Sequence, residues 1–146
     1  MSQLGAHPTR TDSSVELRLP ATANHVVVAR QALSGIADTF GWDASFSDDV
    51  RLALSEACTN VVQHAYRNAA SPGDMLISIL VEAGRLLVAV SDDGVGIVTP
   101  SHSDGLGLGL PLMRTLADEL QLDSSEGHTE VRMAFSPTSA EPIGGR

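Results

Sequence analysis

Two apolar runs of β-forming residues, "MLISILVEA" (Met75–Ala83) and "RLLVAVSD" (Arg85–Asp92), follow one another and join at Ala83-Gly84. Nothing else in the chain constrains its fold as strongly. Two such runs with so short a link read as an antiparallel hairpin in the middle of a sheet.

The flanking segments supply what that sheet needs. "VELRLP" (Val15–Pro20) alternates apolar and polar residues, the pattern of a strand with one buried face. Val26, Ala29, Leu33, Ile36, Ala37 and Phe40 then recur at helical spacing, with Asn24 as the expected cap and Gly41 as the stop. A second helix is expected to open near Ser45–Asp48, where Ser followed three residues later by Asp resembles a capping box. It should run to about Tyr66, where "NAASPGD" breaks it. After the hairpin come a polar loop beginning "DDGVGI" and a glycine cluster in "GLGLGLPLMRTLADEL" that opens a third helix near Leu110–Pro111. "LQLDSS" and "TEVRMAF" alternate around Gly127 as a closing hairpin. The expected fold class is α/β: a two-layer α/β sandwich, one mixed, mostly antiparallel sheet with helices on one face.

At 146 residues the chain reads as one domain, spanning residues 15–135. Residues 1–14 are expected to form a flexible N-terminal leader, and 136–146, with Pro137 and Pro142, a disordered tail. Aromatic residues make up only 3%, so the core must be aliphatic. The formal charge of −9 argues against direct binding of nucleic acid or an anionic membrane. All nine basic residues are Arg, which removes Schiff-base chemistry and the Gly-rich phosphate loop that ends in Lys. The single Cys58 permits neither an internal disulfide nor a cysteine zinc site. No apolar run approaches the ~20 residues of a membrane span, so a soluble, cytoplasmic protein is expected.

"SEACTNVVQHAY" (Ser55–Tyr66) lies on the second helix. There Val50, Leu54, Ala57, Val61 and Ala65 gather on one side, and Glu56 and Asn60 fall at the border of that stripe. His64 drifts into the apolar arc. The helix by itself favours a plain reading, a Glu56–Asn60 hydrogen bond on a solvated flank. His64 is open between a satisfied core histidine and a contact to an anion. The same pair has a second use, because a partly buried carboxylate accepts a proton from a hydroxyl and an amide oxygen is a hard ligand for Mg²⁺.

Two glycine loops follow. In "DDGVGI", Gly94 and Gly96 permit close backbone approach, and Asp92 can accept a hydrogen bond from a ligand amine. In "GLGLGL", Gly105, Gly107 and Gly109 precede a helix whose free N–H groups form an anion site without any lysine. Each loop alone is equally an ordinary turn or hinge.

Glu-x-x-x-Asn on a helix, Asp-x-Gly-x-Gly after a strand and Gly-x-Gly before a helix, in that order, resemble the GHKL (Bergerat-fold) ATPases. Within that superfamily, "LRLALSEACTNVVQHAY", "VSDDGVGI", "GLGLPLMRTLADEL" and "GHTEVRMAF" are similar to the bacterial anti-sigma factor serine/threonine-protein kinases. The likeness spans roughly Val15 to Phe135.

That resemblance implies ATP and Mg²⁺ as cofactors and gives each motif a role. Asp92 would bind the adenine amine, with Gly94 and Gly96 letting the base approach and Thr129 closing the far side of the pocket. Asn60 would coordinate the metal and Glu56 would be the general base. Gly105, Gly107, Leu108 and Gly109 would meet the phosphates, and His64 would lie near the triphosphate. The implied function is sequestration of a sigma factor and phosphorylation of a small anti-anti-sigma antagonist on serine, by a homodimer. The alternative is a non-catalytic ATP-binding module that acts by protein binding. Two features depart from the family pattern. The segment before Gly105, "VTPSHSD", is short for an ATP lid and has no Arg or Lys, and the last box reads Gly127-His128-Thr129, where a second glycine is common.

Overall fold

A computed structural model describes residues 13–67, 69–94, 106–125 and 127–137. Strands β1 (Ser13–Pro20), β2 (Asp74–Glu82), β3 (Arg85–Asp92), β4 (Glu119–Ser125) and β5 (His128–Phe135) form one sheet. Their spatial order is β1-β2-β3-β5-β4, and all four described pairings are antiparallel. Helices α1 (Ala23–Phe40), α2 (Ala44–Asn60) and α3 (Leu106–Leu116) pack against it. The expected α/β sandwich is borne out.

The central hairpin forms where the two apolar runs meet. Ala83 (φ 51°) and Gly84 (φ 77°) both adopt left-handed backbone, as a tight two-residue hairpin turn requires. Strand parity then sets the layers. Met75, Ile77, Ile79 and Val81 of β2 and Leu86, Val88 and Val90 of β3 point to the helices and are buried. They meet Ala29 and Leu33 of α1, Val50, Ala53, Leu54 and Ala57 of α2, and Met113 of α3. The core is aliphatic, as the composition demands. Four of the five aromatic residues collect at one end, where Phe40 stacks on Trp42, Trp42 meets Phe46 edge-on and Phe46 meets Phe135. Only Tyr66 stands apart.

Several boundaries differ from the sequence reading. The first strand starts at Ser13, two residues before the clear alternation begins. Thr22, not Asn24, is the N-cap of α1, and its hydroxyl lies 2.8 Å from His25 Nδ1 rather than on a backbone N–H. Asp43 is the N-cap of α2, so Ser45 lies inside the helix and no capping box forms there; Asp48 pairs with Arg51 on the exposed flank. Regular α-helix stops at Asn60, and Val61–Ala65 is a wider π-helical turn. The third helix starts at Leu106, inside the glycine cluster, with Pro111 in its interior rather than at its first turn. Pro111 has no N–H for the Gly107 carbonyl, so the fold accepts a broken rung where tertiary packing outweighs propensity. The leader, apart from Ser13 and Ser14, and the tail beyond Pro137 lie outside the described residues.

Candidate active site

The end of the sheet away from the aromatic cluster gathers the polar residues. Asp92, the last residue of β3, is paired across the ladder with Thr129 of β5. Both continue the helix-facing side of their strands and both are buried, at 7% and 4% exposure. Asp92 Oδ1 accepts the Gly94 N–H at 2.9 Å, and Thr129 Oγ1 lies 3.3 Å from Ser124 Oγ. Burial raises the Asp92 carboxyl above the usual carboxylate range. The Gly94 N–H and His128 oppose that shift, and Asp93 adds to it. Ionised Asp92 is purely an acceptor, so it suits a ligand that presents an N–H.

Two glycines join the loops to the second helix at backbone distance. A Cβ on Gly94 would lie 2.0 Å from the Ala65 carbonyl oxygen, so only glycine lets the segment after β3 touch the π-helical turn. A Cβ on Gly109 would lie 3.0 Å from Asn60 Nδ2 and 3.2 Å from Asn60 Oδ1. The three motifs, well separated in sequence, therefore converge around the end of α2. Such π-helical turns inside α-helices are frequent at functional sites, and this one directly follows Asn60.

The other expected site residues take these places. Glu56 is half-buried one turn before Asn60, and His64 is half-buried in the π-turn with its Nε2 shielded from solvent. Gly107 and Leu108 belong to the first turn of α3, which brings backbone N–H groups to the site as an extended loop would not. Gly96 and Gly105 lie outside the described residues. Cys58 is fully buried, and burial pushes its thiol up to about 12, which removes it as a nucleophile.

Three contacts had no counterpart in the motif reading. His128 Nδ1 pairs with Asp93 Oδ1 at 3.1 Å, a bond that raises the His128 pKa. The Tyr66 hydroxyl donates to the Asp74 carbonyl at 2.6 Å and accepts the Asp93 N–H at 3.1 Å. The only usable signal for Tyr66 was its position, the sole tyrosine immediately before the helix-breaking segment.

Metal chemistry can be tested on the donor set. No group of three or more His, Cys, Asp and Glu residues able to hold a metal occurs among the described residues. Asn60 Nδ2, by contrast, is buried without a hydrogen-bond partner among them. An amide at this position has bonding capacity still to use, and its O and N are interchangeable by a flip. One hard amide ligand beside a half-buried carboxylate fits Mg²⁺ arriving with phosphates and waters, not a resident ion in a protein cage.

The Histidine kinase-like ATPase domain matches residues 19–135. The chain belongs to this family. Its relatives narrow the branch to the serine-protein kinases. It is 40% identical over 131 residues to the serine-protein kinase RsbW of Bacillus velezensis, across 79% of this chain and 81% of the relative. The RsbW of Bacillus subtilis is 39% identical with the same coverage. Among solved structures, the RsbU and RsbW domains of a Mycobacterium tuberculosis protein superpose with a TM-score of 0.68 at 23% identity. That match covers 86% of this chain, which spans about a third (32%) of the two-domain protein. A histidine kinase domain from Erythrobacter litoralis gives 0.53 at 24% identity, over 80% of this chain and 61% of its own. At these identities the structures speak for the fold, and the Bacillus relatives for the family. The resemblance read from the three motifs is borne out.

Proposed function

We propose that this family member is an ATP-binding anti-sigma factor with serine-protein kinase activity, which sequesters a sigma factor and phosphorylates a small anti-anti-sigma antagonist. The observation that carries the reading is the convergence at the end of α2, where Gly109 of the phosphate motif packs on Asn60 and Gly94 of the base motif packs on Ala65. With no lysine to hold a triphosphate, backbone dipoles at the start of α3 and a metal at Asn60 can meet its charge.

Asp92 accepts the adenine 6-amino N–H, Thr129 borders the base, and Gly94 and Gly96 let it lie against the backbone. The α3 N-terminus, with Gly105, Gly107, Leu108 and Gly109, directs N–H groups at the phosphates, and His64 lies near them. Asn60 would hold the Mg²⁺, which when bound would neutralise phosphate charge and help orient the transferred group. Glu56 takes the proton from the antagonist's serine Oγ as the Oγ–P bond forms and the bond from the γ-phosphorus to the bridging oxygen breaks, so that ADP leaves.

A homodimer fits the sheet face that none of the described helices covers. There Leu80, Leu87, Ala89 and Ala134 floor a groove of about 410 Å³ rimmed by Glu119, Glu130 and Arg132. A rim carrying both signs of charge can complement itself across a two-fold axis. None of the described helices is long and apolar enough to cross a membrane, and we place the protein in the cytoplasm.

The test is incubation with labelled ATP, Mg²⁺ and an anti-anti-sigma protein encoded beside this chain. Label on an antagonist serine, lost in Glu56→Ala, supports the kinase. Tight ATP binding without transfer makes the chain a non-catalytic ATP-dependent binding module.

A further inference from the structure

Tyr66 closes the second-helix motif without a role of its own, yet three contacts converge on it. Its hydroxyl sits between two strands at the point where they part. The β2–β3 ladder ends with Met75 opposite Asp92, so Asp74 and Asp93 are the next pair along. Their backbones are joined through the Tyr66 oxygen, which donates to the Asp74 carbonyl at 2.6 Å and accepts the Asp93 N–H at 3.1 Å. The phenol thus replaces the next rung with a bridge one oxygen wide. Its ring is seated on Gly73, where an added Cβ would lie 2.6 Å from Cε1 and Cζ. On the far side of the same residue, the Asp93 carboxylate is held by His128 at 3.1 Å. Asp93 is therefore clamped at its N–H and at its side chain. Asp92 immediately precedes it, in a turn closed by the Gly94 N–H on its Oδ1.

We infer that Tyr66 is a positioning residue for Asp92: by bridging Asp74 and Asp93 it fixes the carboxylate that selects the purine base. This inference rests on the reading of Asp92 as the adenine acceptor. A carboxylate held in place accepts the 6-amino hydrogen of adenine and repels the 6-oxo group of guanine. If it is free to rotate, it accommodates either, with water between.

The test uses the full chain and two substitutions at the strut, Tyr66→Phe, which removes only the hydroxyl, and Gly73→Ala, which displaces the ring. Asp92→Asn serves as reference. Three quantities are measured: hydrogen exchange of the Asp93 amide without nucleotide, dissociation constants for ATP and GTP with Mg²⁺, and thermal melting. Tyr66→Phe should speed Asp93 exchange and weaken ATP binding about five- to tenfold, the worth of one net hydrogen bond. GTP binding should hardly change, so the preference for ATP narrows. Gly73→Ala should do the same with the hydroxyl still present. Equal weakening of ATP and GTP, or an unchanged preference beside faster Asp93 exchange, overturns the positioning role while leaving Asp92 as base acceptor. An unchanged ATP preference in Asp92→Asn overturns the base assignment itself, and this inference with it.

Discussion

Gly109→Ala should raise stability and lower activity together. Gly109 is buried inside α3, and alanine in place of glycine within a helix is worth about 1 kcal/mol. For a domain near this size that is roughly 4 °C in melting temperature. Against this, the new Cβ would stand 3.0 Å from Asn60 Nδ2 and 3.2 Å from Oδ1. Ordinary contact for such a pair begins near 3.4 Å, so the Asn60 amide must give way by roughly 0.4 Å, twice the ~0.2 Å that a metal-ligand distance tolerates. Misplacement of a reacting group by about 1 Å costs about 100-fold, so a shift of this size should cost about tenfold in kcat/KM. The assay is phosphate transfer to the antagonist serine across a Mg²⁺ titration, with melting followed in parallel by circular dichroism. The expected result is an unchanged or higher melting temperature, about tenfold lower kcat/KM and a higher Mg²⁺ requirement. Gly35→Ala is the control, since Gly35 is exposed on α1 with nothing within 4 Å of its added Cβ, and it should raise the melting temperature and leave transfer intact. Full activity in Gly109→Ala would refute the reasoning, because Asn60 would then not depend on the close approach of α3.

Three further outcomes follow from the same geometry. Folding binds a proton to Asp92 more tightly than the unfolded chain does, because burial raises its pKa. The resulting penalty is absent below the ordinary carboxylate pKa, grows as pH rises through it, and is complete above the raised folded value. Asp92→Asn should therefore melt higher than the parent at neutral pH, lose that advantage in acid and fail to bind ATP; melting curves across pH with ATP titrations check it. Ala83→Asn should stabilise the chain by about 0.5–1 kcal/mol, since Ala83 is held at φ 51° and Asn tolerates left-handed backbone far better; denaturant midpoints measure it. Chelating Mg²⁺ should abolish most ATP affinity in a chain of net charge −9, and equal affinity with and without the metal would count against Asn60 as its ligand.

The strands were legible because parity is strict: in Val15–Pro20 the apolar–polar alternation matches the burial alternation residue by residue, and the apolar run Met75–Val81, broken only by Ser78, marks a strand with little exposure on either face. The convergence of motifs was legible only in outline. The order of motifs points to one site for Glu56, Asn60, Asp92 and Gly109, but the contacts that bring Gly109 to Asn60 and Gly94 to Ala65 are long-range and leave no local periodicity. The π-turn illustrates the limit. Val61–Ala65 carries an ordinary helical pattern, and what accompanies the wider turn is a glycine some thirty residues later in the chain pressed on Ala65. The start of α3 was missed for the opposite reason. Gly107, Gly109 and Pro111 all speak against a helix there, and packing on Asn60 outweighs them. Caps failed too, since Thr22 and Asn24 are equally plausible from composition and only the chain's exit from β1 chooses between them.

The segregation of aromatic residues has a practical consequence. Trp42 stacks on Phe40 and meets Phe46 edge-on beside Phe135, at the opposite end of β5 from Thr129. Six residues of extended strand put about 20 Å between those ends. The lone tryptophan is thus far from Asp92 and Thr129, whereas the lone tyrosine accepts the N–H of Asp93, the residue after Asp92. Emission from Trp42 should therefore follow unfolding and change little when ATP is added.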